Sequence, residues 1–386
     1  MDQQLLLYIL WINCGLVVVC MLSALWNSLG YSDVKPKPPC GSDSPFVSLI
    51  IPTRNEIANI KTCLDSLLCQ DYPKYEVIVI DGDSDDGTRQ LLDSYAKKNK
   101  RFRWYGEESL PEKWVGKSFA CRQGAKCSAG DWLFFIDADT VHDRYMISSV
   151  IDSIQRNNVD FFSLMTGQLM GSFWEYVVLP CVFLWFGTRF PIRRVNNPRS
   201  KVARATGQFI AVRRDVYEAT GGHEAVKVHV VEDFAFAAYI KNAGYRIKIA
   251  GGRKIVKTRM YRNFKQIWEG FSKNIFFAAG TSLTASIKAV SYVFLNQILP
   301  FFAPLMLLFA DNLTWQYVVP ALVPFALTII VRLQLNMLLE LPQWYTLTIP
   351  IGGFMTVLLH INSAARYLSG RGMVWKGRVY AGSKQK

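Results

Sequence analysis

The sequence predicts an α/β protein in which a mostly parallel sheet is joined to one N-terminal and several C-terminal transmembrane helices. Strand-like apolar runs alternate with amphipathic helical segments in the middle of the chain, and long apolar stretches lie towards both ends. Hydrophobic residues make up 51% of the 386 positions, and the mean hydropathy is +0.13. This composition is too apolar for an ordinary soluble enzyme and too charged for a protein embedded throughout in a membrane.

Two strand–helix pairs open the central region. The apolar run Val47–Pro52 precedes a segment with helical spacing at Ile57–Leu68, and a second run, Tyr75–Ile80, precedes a helix that starts near Arg89. Short polar turns between such elements are typical of a parallel sheet with helical crossovers. Because such sheets bind ligands beyond the carboxyl ends of their strands, polar residues at those ends are the candidate site residues.

Four apolar segments are candidates for membrane helices. Leu5–Trp26 has neither a basic leading region nor a small-residue cleavage site, which indicates an anchor and not a signal peptide. Further spans are predicted at Val290–Ala310, Tyr317–Arg332 and Leu347–Tyr367. We therefore expect an N-terminal anchor at residues 1–30, a catalytic domain with interfacial helices at 46–280, a transmembrane region at 285–370 and a basic tail at 371–386.

The net charge of +14 indicates anionic partners. The basic residues cluster beside apolar segments, which favours a membrane surface and substrate phosphates over nucleic acid, for which no binding motif is visible. The positive-inside rule predicts a multi-pass membrane protein whose central domain lies on the cytoplasmic side. Three later spans would put the basic tail outside, so we expect one of them to be re-entrant or interfacial and the tail to be cytoplasmic. A helix broken at prolines would suit that arrangement, and the candidates are Pro300, Pro304, Pro320 and Pro324.

The clearest candidate site is the apolar run Trp132–Ile136 followed by Asp137 and Asp139. Two carboxylates this close repel each other, and desolvation raises the cost of keeping both ionised. A hard divalent cation relieves that cost, and Mg²⁺ or Mn²⁺ would take its other ligands from phosphate oxygens and water. The pair is therefore a candidate metal–diphosphate site. The alternative is a solvated pair of loop carboxylates.

Acidic and basic residues lie at three further turns. Glu56 follows the first strand run and Asp81 the second, so both are candidate ligands of a nucleotide at the same sheet edge. The alternative for Asp81 is a turn residue ahead of the next helix. Gly116 and Lys117, at the start of another predicted helix, would offer backbone N–H groups and an ammonium to a diphosphate.

A second acidic site lies at Glu232 and Asp233, after the apolar run Val228–Val231. We expect Asp233 to take the proton from an attacking hydroxyl and Glu232 to help orient it. The pair also suits a helix N-terminus, where the macrodipole favours negative charge. Both interpretations are compatible, because Phe234–Asn242 has helical character.

Four ordered motifs give the central region a family resemblance. They are Pro52-Thr53-Arg54-Asn55-Glu56, Val79-Ile80-Asp81-Gly82-Asp83-Ser84 with Asp86-Gly87-Thr88, Asp137-Ala138-Asp139, and Gly221-Gly222 followed by Glu232-Asp233. Over about residues 46–277 the chain resembles family 2 inverting glycosyltransferases of the GT-A fold, which is Rossmann-like. The flanks resemble the membrane-bound hopanoid-associated and carotenoid glycosyltransferases in Leu110-Pro111, Trp114, Gly116-Lys117, Ala205-Thr206-Gly207-Gln208, Trp268 to Asn274, and Trp375-Lys376-Gly377-Arg378.

The resemblance implies roles for these residues. Pro52, Glu56 and Asp81 would hold the base and ribose of a nucleotide sugar, for which we favour a UDP-sugar. The Asp137–Asp139 pair would bind the metal and the diphosphate. Asp233 would be the general base of a single in-line displacement that inverts the anomeric carbon.

Two aromatic segments are candidates for the acceptor side. Ser172–Phe186, which contains Trp174, is too short to span a membrane comfortably, and Phe264–Phe277, which contains Trp268, is amphipathic. Both suit an interfacial position that holds the active site against the membrane, and the alternative for each is ordinary core packing. Processive family members carry an Arg-Trp pair in the region of Trp268. Its absence here argues against a polymerase.

The favoured function is sugar transfer to the hydroxyl of a membrane lipid: a carotenoid, a hopanoid or sterol, or diacylglycerol. Transfer to a polyprenyl phosphate is an alternative, because the basic run Arg189–Arg204 suits a phosphate acceptor. A catalytically inactive membrane scaffold is the alternative from another class. The intact acidic motifs disfavour it.

Overall fold

The computed structural model describes residues 3–28, 30–39, 44–369, 373–375 and 378–380. The predicted basic tail lies largely outside the described residues, as do Lys376 and Gly377 of the last resembling motif. The chain divides into two compact units. The sheet unit comprises Tyr31–Leu169 and Ile192–Met260, and the helical unit comprises Met1–Gly30, Met170–Pro191 and Tyr261–Lys386.

Strands and helices are numbered along the whole chain. The helices are α1 Gln3–Ser28, α2 Ile57–Leu68, α3 Thr88–Ala96, α4 Gly116–Lys126, α5 Met146–Asn157, α6 Phe173–Arg189, α7 Ile192–Asn196, α8 Arg214–Ala219, α9 Glu232–Asn242, α10 Phe264–Ala279, α11 Leu283–Val293, α12 Leu299–Phe302, α13 Trp315–Leu338 and α14 Ile349–Leu368. The strands are β1 Val47–Thr53, β2 Tyr75–Asp81, β3 Phe102–Gly106, β4 Trp132–Ile136, β5 Thr140–His142, β6 Phe161–Met165, β7 Gly167–Gln168, β8 Phe209–Arg213, β9 Ile247–Gly251, β10 Val256–Thr258, β11 Met373–Trp375 and β12 Arg378–Tyr380.

The sheet unit is built on a seven-stranded sheet in the order β3-β2-β1-β4-β8-β6-β9. The first four strands of that order are parallel, β8 is antiparallel to both of its neighbours, and β6 and β9 are parallel. The prediction of a mostly parallel sheet is therefore confirmed. Every residue of β2 is buried, as expected for a parallel strand covered on both faces.

Helices cover both faces of this sheet. On one face, Leu64 of α2 and Val150 of α5 belong to the same core as Leu49 and Val77 of the strands. On the other face, residues of α4 and α9 share a core with β1, β4, β6 and β8: Cys121, Phe236, Ile50, Phe135, Phe161 and Ile210. The result is a three-layer α/β unit whose strand ends are free to carry a site at the sheet edge.

Among the residues that the structure describes, the helical unit contains four segments long and apolar enough to cross a membrane. They are Gln3–Asn27, Leu283–Phe309, Trp315–Leu338 and Gln343–Leu368. Each overlaps one of the four apolar segments predicted from the sequence. The orientation of these segments stays a prediction.

Helices α6 and α10 belong to the helical unit, although the predicted catalytic domain of 46–280 includes both. Asn362 Nδ2 on α14 donates to Ser272 Oγ on α10 at 2.7 Å. On α6, the carbonyl of Val177 would lie 2.2 Å from a Cβ added at Gly352 of α14, so the two helices approach closely at this glycine. These contacts join segments that are distant in the sequence, which is why chain order alone gave different bounds.

Pro180 interrupts the hydrogen bonding of α6, and Arg332 compensates for it. Proline has no N–H, so the carbonyl of Tyr176, one turn earlier, loses its helical donor. Arg332 Nη2 on α13 donates to this carbonyl at 2.6 Å, and the arginine side chain is fully buried. A cationic side chain thus satisfies a backbone oxygen inside an apolar helical unit.

At two of the four prolines of the predicted helix break, the structure shows a change of helix type within one continuous helix, Leu283–Phe309. The segment that holds Pro300 and Pro304 passes from α-helix through a π turn and a short helix into a 3-10 helix. By contrast, α13 continues as one helix through Pro320 and Pro324. The prediction of a break at these two prolines was wrong, because the turns that flank them keep helical geometry on both sides.

Candidate active site

The candidate site lies in the sheet unit, where β4 ends. Asp137 follows β4 directly, and Lys117 lies in the first turn of α4. Glu232 and Asp233 form the first turn of α9, and Gly207 precedes β8, the antiparallel neighbour of β4. The structure therefore brings the predicted metal, diphosphate and base residues into one group of contacts.

Lys117 is the centre of this group. Its ammonium lies 2.6 Å from Asp137 Oδ1, 3.1 Å from Glu232 Oε1 and 3.5 Å from the carbonyl oxygen of Gly207. Burial alone would lower the pKa of Lys117, but the charges of Asp137 and Glu232 raise it, so the side chain is a cation. The residue predicted to meet a diphosphate thus pairs with two of the other predicted site residues.

Asp233 is held by backbone groups. The N–H of Gly207 donates to Asp233 Oδ2 at 2.8 Å, and the N–H of Phe234 donates to Asp233 Oδ1 at 2.9 Å. Burial and the charge of Glu232 raise the pKa of Asp233 from 3.8 to about 7, against the opposing charge of Lys117. Such a carboxylate is poised to gain and lose a proton near neutral pH.

Asp139 has an oxygen without a partner. Its Oδ1 atom is buried and makes no hydrogen bond with any residue that the structure describes. Burial and the charges of Asp137 and Glu56 raise the pKa of Asp139 to about 7. An unsatisfied buried carboxylate oxygen beside a second carboxylate fits a divalent cation, which would satisfy the oxygen and offset the repulsion.

The protein alone does not complete a metal site. Within the described ranges, no group of three or more His, Cys, Asp and Glu side chains is arranged to hold a metal ion. A cation at Asp137 and Asp139 would need further ligands from phosphate oxygens and water. This donor set is the one expected for magnesium or manganese bound together with a nucleotide.

Glu56 and Asp81 lie at the ends of the first two strand–turn segments. Glu56 precedes α2, where Asn59 Nδ2 donates to its Oε2 at 2.8 Å. Asp81 is fully buried, and its oxygens accept from the Ser84 N–H at 3.0 Å, the Ser84 hydroxyl at 2.5 Å and Arg89 Nε at 2.6 Å. These contacts agree with the turn role considered for Asp81, and its contact with a nucleotide stays a prediction.

Pro52 lies within β1, next to Ile80 of β2 in the strand register. The following pair in that register is Thr53 and Asp81. Pro52 is therefore near the carboxyl end of β1, where a parallel sheet carries its ligand. Its predicted contact with a nucleotide base is a matter for experiment.

The sequence analysis gave Gly207 no role and counted Arg204 only within the basic run Arg189–Arg204. Gly207 contributes both of its backbone polar groups, and Arg204 lies close enough to Asp233 for their charges to interact. Burial lowers the pKa of Arg204 to about 10, and Asp233 opposes this shift. The signal was present in the motif Ala205-Thr206-Gly207-Gln208, which carried the resemblance but received no role.

Trp174 and Trp268, predicted for the acceptor side, lie in one aromatic cluster of the helical unit. Phe264 joins them, with ring centroids 4.7 Å from Trp174 and 5.9 Å from Trp268. The cluster continues through Phe173, 5.3 Å from Trp174, to Tyr345 at 6.1 Å. The two segments that the sequence singled out separately therefore share one surface.

Comparison with known proteins agrees with this picture. Residues 48–221 match the family model described as glycosyl transferase family 2. A 4,4'-diaponeurosporenoate glycosyltransferase of Staphylococcus haemolyticus is 28% identical over 254 residues, which are 63% of this chain and 64% of the relative. A protein of the same name from Staphylococcus aureus is 26% identical over 252 residues, with the same coverage. The chain thus spans less than two thirds of the length of these relatives.

A solved structure shows the same fold. The mannosyltransferase PcManGT from Pyrobaculum calidifontis, in complex with GDP-Man and Mn²⁺, superposes with a TM-score of 0.55 over 93% of this chain and 99% of that chain, at 19% identity. The match of residues 48–221 to the glycosyl transferase family 2 model agrees with the motifs identified in the sequence. The sheet unit, which holds all of these residues except Met170–Pro191, has the GT-A architecture.

Proposed function

We propose that this chain is an inverting glycosyltransferase that moves a sugar from a nucleotide-diphosphate sugar to the hydroxyl of a membrane lipid. The observation that carries the proposal is the environment of Asp233. Its carboxylate is fixed by two backbone N–H groups, has a pKa raised to about 7, and lies beside the Lys117–Glu232 pair. A general base for an alcohol needs this combination of fixed position and near-neutral pKa.

The reaction is a single displacement. The acceptor oxygen attacks the anomeric carbon from the face opposite the leaving group, and Asp233 takes the hydroxyl proton. The bond between the anomeric carbon and the diphosphate oxygen breaks, and the nucleoside diphosphate leaves with that electron pair. Glu232 helps to hold the start of α9 in position through its contact with Lys117.

Asp139, with its unpartnered oxygen, and Asp137 would hold Mg²⁺ or Mn²⁺. When bound, the cation would supply positive charge beside the departing diphosphate. Mn²⁺ and a nucleotide sugar are named together for the Pyrobaculum protein, and we extend that pairing to this chain as a proposal. Pro52, Glu56 and Asp81 would lie on the nucleotide side, and a UDP-sugar is our favoured donor.

The proposed acceptor is a lipid. The names of the staphylococcal relatives support a carotenoid, and a hopanoid or sterol and diacylglycerol are the other candidates. The four apolar helices support a multi-pass membrane protein, for which we propose a cytoplasmic catalytic domain. Trp174 and Trp268 would contact the apolar part of the acceptor through the aromatic cluster.

Lipid labelling tests the acceptor. Purified full-length protein in lipid nanodiscs is incubated with radiolabelled nucleotide sugars, Mn²⁺ and either a carotenoid alcohol, a sterol, diacylglycerol or a polyprenyl phosphate. We expect label in an alcohol lipid, and none with Asp233→Asn. Asp215→Asn is the matched control, since Asp215 is 66% exposed on α8 and pairs with Arg213. Label only in the polyprenyl phosphate would contradict the proposed acceptor, and no label in any lipid would contradict the proposed activity.

A further inference from the structure

The ammonium of Lys117 pairs with the carboxylate of Asp137, which is also a proposed ligand of the metal. Its three N–H donors face three oxygens, those of Asp137, Glu232 and Gly207. The shortest of these contacts, at 2.6 Å, is to Asp137 Oδ1. Such a charge-assisted contact is stronger than a neutral hydrogen bond, so Asp137 already has an internal cation as partner.

The two proposed metal ligands are therefore unequal. Asp139 Oδ1 is buried and has no hydrogen-bond partner within the part of the chain that the structure describes, whereas Asp137 Oδ1 is paired. A divalent cation that bound Asp137 would lie close to the Lys117 ammonium. The two positive charges would repel each other strongly, because the site is partly buried. The Lys117 side chain is 21% exposed and that of Asp137 is 27% exposed, so solvent screens this repulsion only in part.

A nucleoside diphosphate would reduce the repulsion between the metal and the Lys117 ammonium. Its phosphate oxygens can accept from the ammonium and bind the metal at the same time, which offsets the repulsion between the two cations. Metal and nucleotide would then strengthen each other's binding. Linkage is reciprocal. The factor by which the nucleotide raises the affinity for the metal therefore equals the factor by which the metal raises the affinity for the nucleotide.

We propose that Lys117 is an internal counter-cation that makes divalent-metal binding depend on the nucleotide. Without nucleotide it holds Asp137 and keeps the bare metal weakly bound. With nucleotide it turns to the diphosphate, and Asp137 becomes available to the metal. This inference rests on the proposed metal role of Asp137 and Asp139, and assigns Lys117 a positioning role beyond the diphosphate contact predicted from sequence.

A purely structural role for Lys117 makes a different prediction. The contacts with Asp137 and Glu232 also connect the end of β4 with the start of α9, which would stabilise the sheet unit. If that were the whole role, loss of the ammonium would lower the unfolding temperature and leave the coupling between metal and nucleotide unchanged. Binding measurements therefore separate the two roles.

Electron paramagnetic resonance of free Mn²⁺ provides such a measurement. Full-length protein in nanodiscs is titrated with Mn²⁺ alone and with saturating UDP or GDP, as wild type, Lys117→Met and Lys117→Arg. The matched control is Lys126→Met, at the exposed end of the same helix. We expect the nucleotide to raise the affinity for Mn²⁺ by about tenfold or more in wild type and in Lys126→Met. A factor of this size is usual for two coupled binding sites.

Lys117→Met is expected to bind Mn²⁺ about tenfold more tightly than wild type without nucleotide, and to lose most of the coupling. Lys117→Arg keeps the charge and should bind bare Mn²⁺ as weakly as wild type. Equal Mn²⁺ affinity of wild type and Lys117→Met without nucleotide would overturn the proposal. If no variant bound Mn²⁺ even with UDP or GDP, the metal role itself would be wrong, while the lipid-labelling assay in the presence of a chelator would still decide on glycosyl transfer.

Discussion

The backbone N–H of Gly207 donates to Oδ2 of Asp233 at 2.8 Å, which ties the proposed base to the loop before β8. The carbonyl of the same glycine lies 3.5 Å from the Lys117 ammonium. One residue, through its two flanking peptides, thus contacts both the base and the internal cation. The geometry of this residue makes the site sensitive to a single added methyl group.

Gly207→Ala tests that sensitivity. A Cβ at this position would lie 3.0 Å from Lys117 Nζ and 3.2 Å from Asp233 Oδ2, so one of the two side chains must shift. Since small misplacements of catalytic groups are costly, we expect kcat to fall by about 10²-fold with little change in the unfolding temperature. Gly15→Ala is the control, because nothing lies within 4 Å of its added Cβ. If steady-state kinetics showed an unchanged kcat for Gly207→Ala, Gly207 would not be needed to position the base and the internal cation.

The pH dependence of the reaction follows from Asp233. The base must be ionised to accept a proton, and its pKa is raised to about 7 by burial and by Glu232. We therefore expect kcat/KM to rise with pH in the range around 7 and to level off above it. A profile measured from pH 5.5 to 8.5 that is flat would show that no group with this pKa limits the reaction.

The stability of the sheet unit should depend on pH in the opposite direction. The native state keeps a proton on Asp233 up to about pH 7, whereas the unfolded chain loses it near 3.8. Between these values the native state binds more protons, so the free energy of unfolding falls as pH rises. Thermal unfolding of Asp233→Asn should show a weaker decline than wild type over this window. Parallel declines would contradict the assigned pKa.

The contact of Arg332 with the Tyr176 carbonyl lends itself to a double-mutant cycle. Arg332→Met leaves that partly buried carbonyl without this donor, which should cost about 1 kcal/mol in unfolding free energy. Pro180→Ala restores a backbone N–H to α6, so the same arginine change should cost less in the Pro180→Ala background. Unfolding in detergent of the four proteins measures the coupling. Equal costs in both backgrounds would show that the arginine does not compensate for the proline.

The aromatic cluster predicts a selective effect on the acceptor. Trp268→Ala removes the ring that packs on Phe264, 5.9 Å between centroids, and should raise the KM for the lipid about two- to tenfold with the donor KM unchanged. Trp315→Ala is the control, since Trp315 is exposed in the helical unit and its ring contacts Trp11 instead. An equal rise in both KM values would indicate a structural effect of Trp268.

Much of the fold could be predicted because short stretches of the sequence carry the patterns that define strands and helices. Apolar runs of strand length, helical spacing after them and acidic residues at their ends identified β1, α2 and β2. The antiparallel insertion of β8 between β4 and β6 could not be foreseen, since strand order depends on packing between distant segments. The same reason hid the membership of α6 and α10 in the helical unit.

The chemistry of the site was predicted residue by residue, but not its pairings. The sequence identified Lys117, Asp137 and Glu232 as separate candidates, and only the folded chain shows that one ammonium joins the two carboxylates. Gly207 offers no side chain, so its motif was visible in the sequence but the contacts of its backbone groups were not. Asp81 shows another case, because its oxygens accept from Ser84 of the following turn and from Arg89 of α3, contacts that the sequence did not reveal.

Release of nucleoside diphosphate tests the central claim most directly. Full-length protein in lipid is given a panel of nucleotide sugars with Mg²⁺ or Mn²⁺ and a total lipid extract, beside Asp233→Asn and Asp215→Asn. We predict metal-dependent release with one sugar, loss of at least about 10³-fold in Asp233→Asn and no change in Asp215→Asn. Release that is equal in wild type and Asp233→Asn, or absent with every donor, would contradict glycosyl transfer at this site.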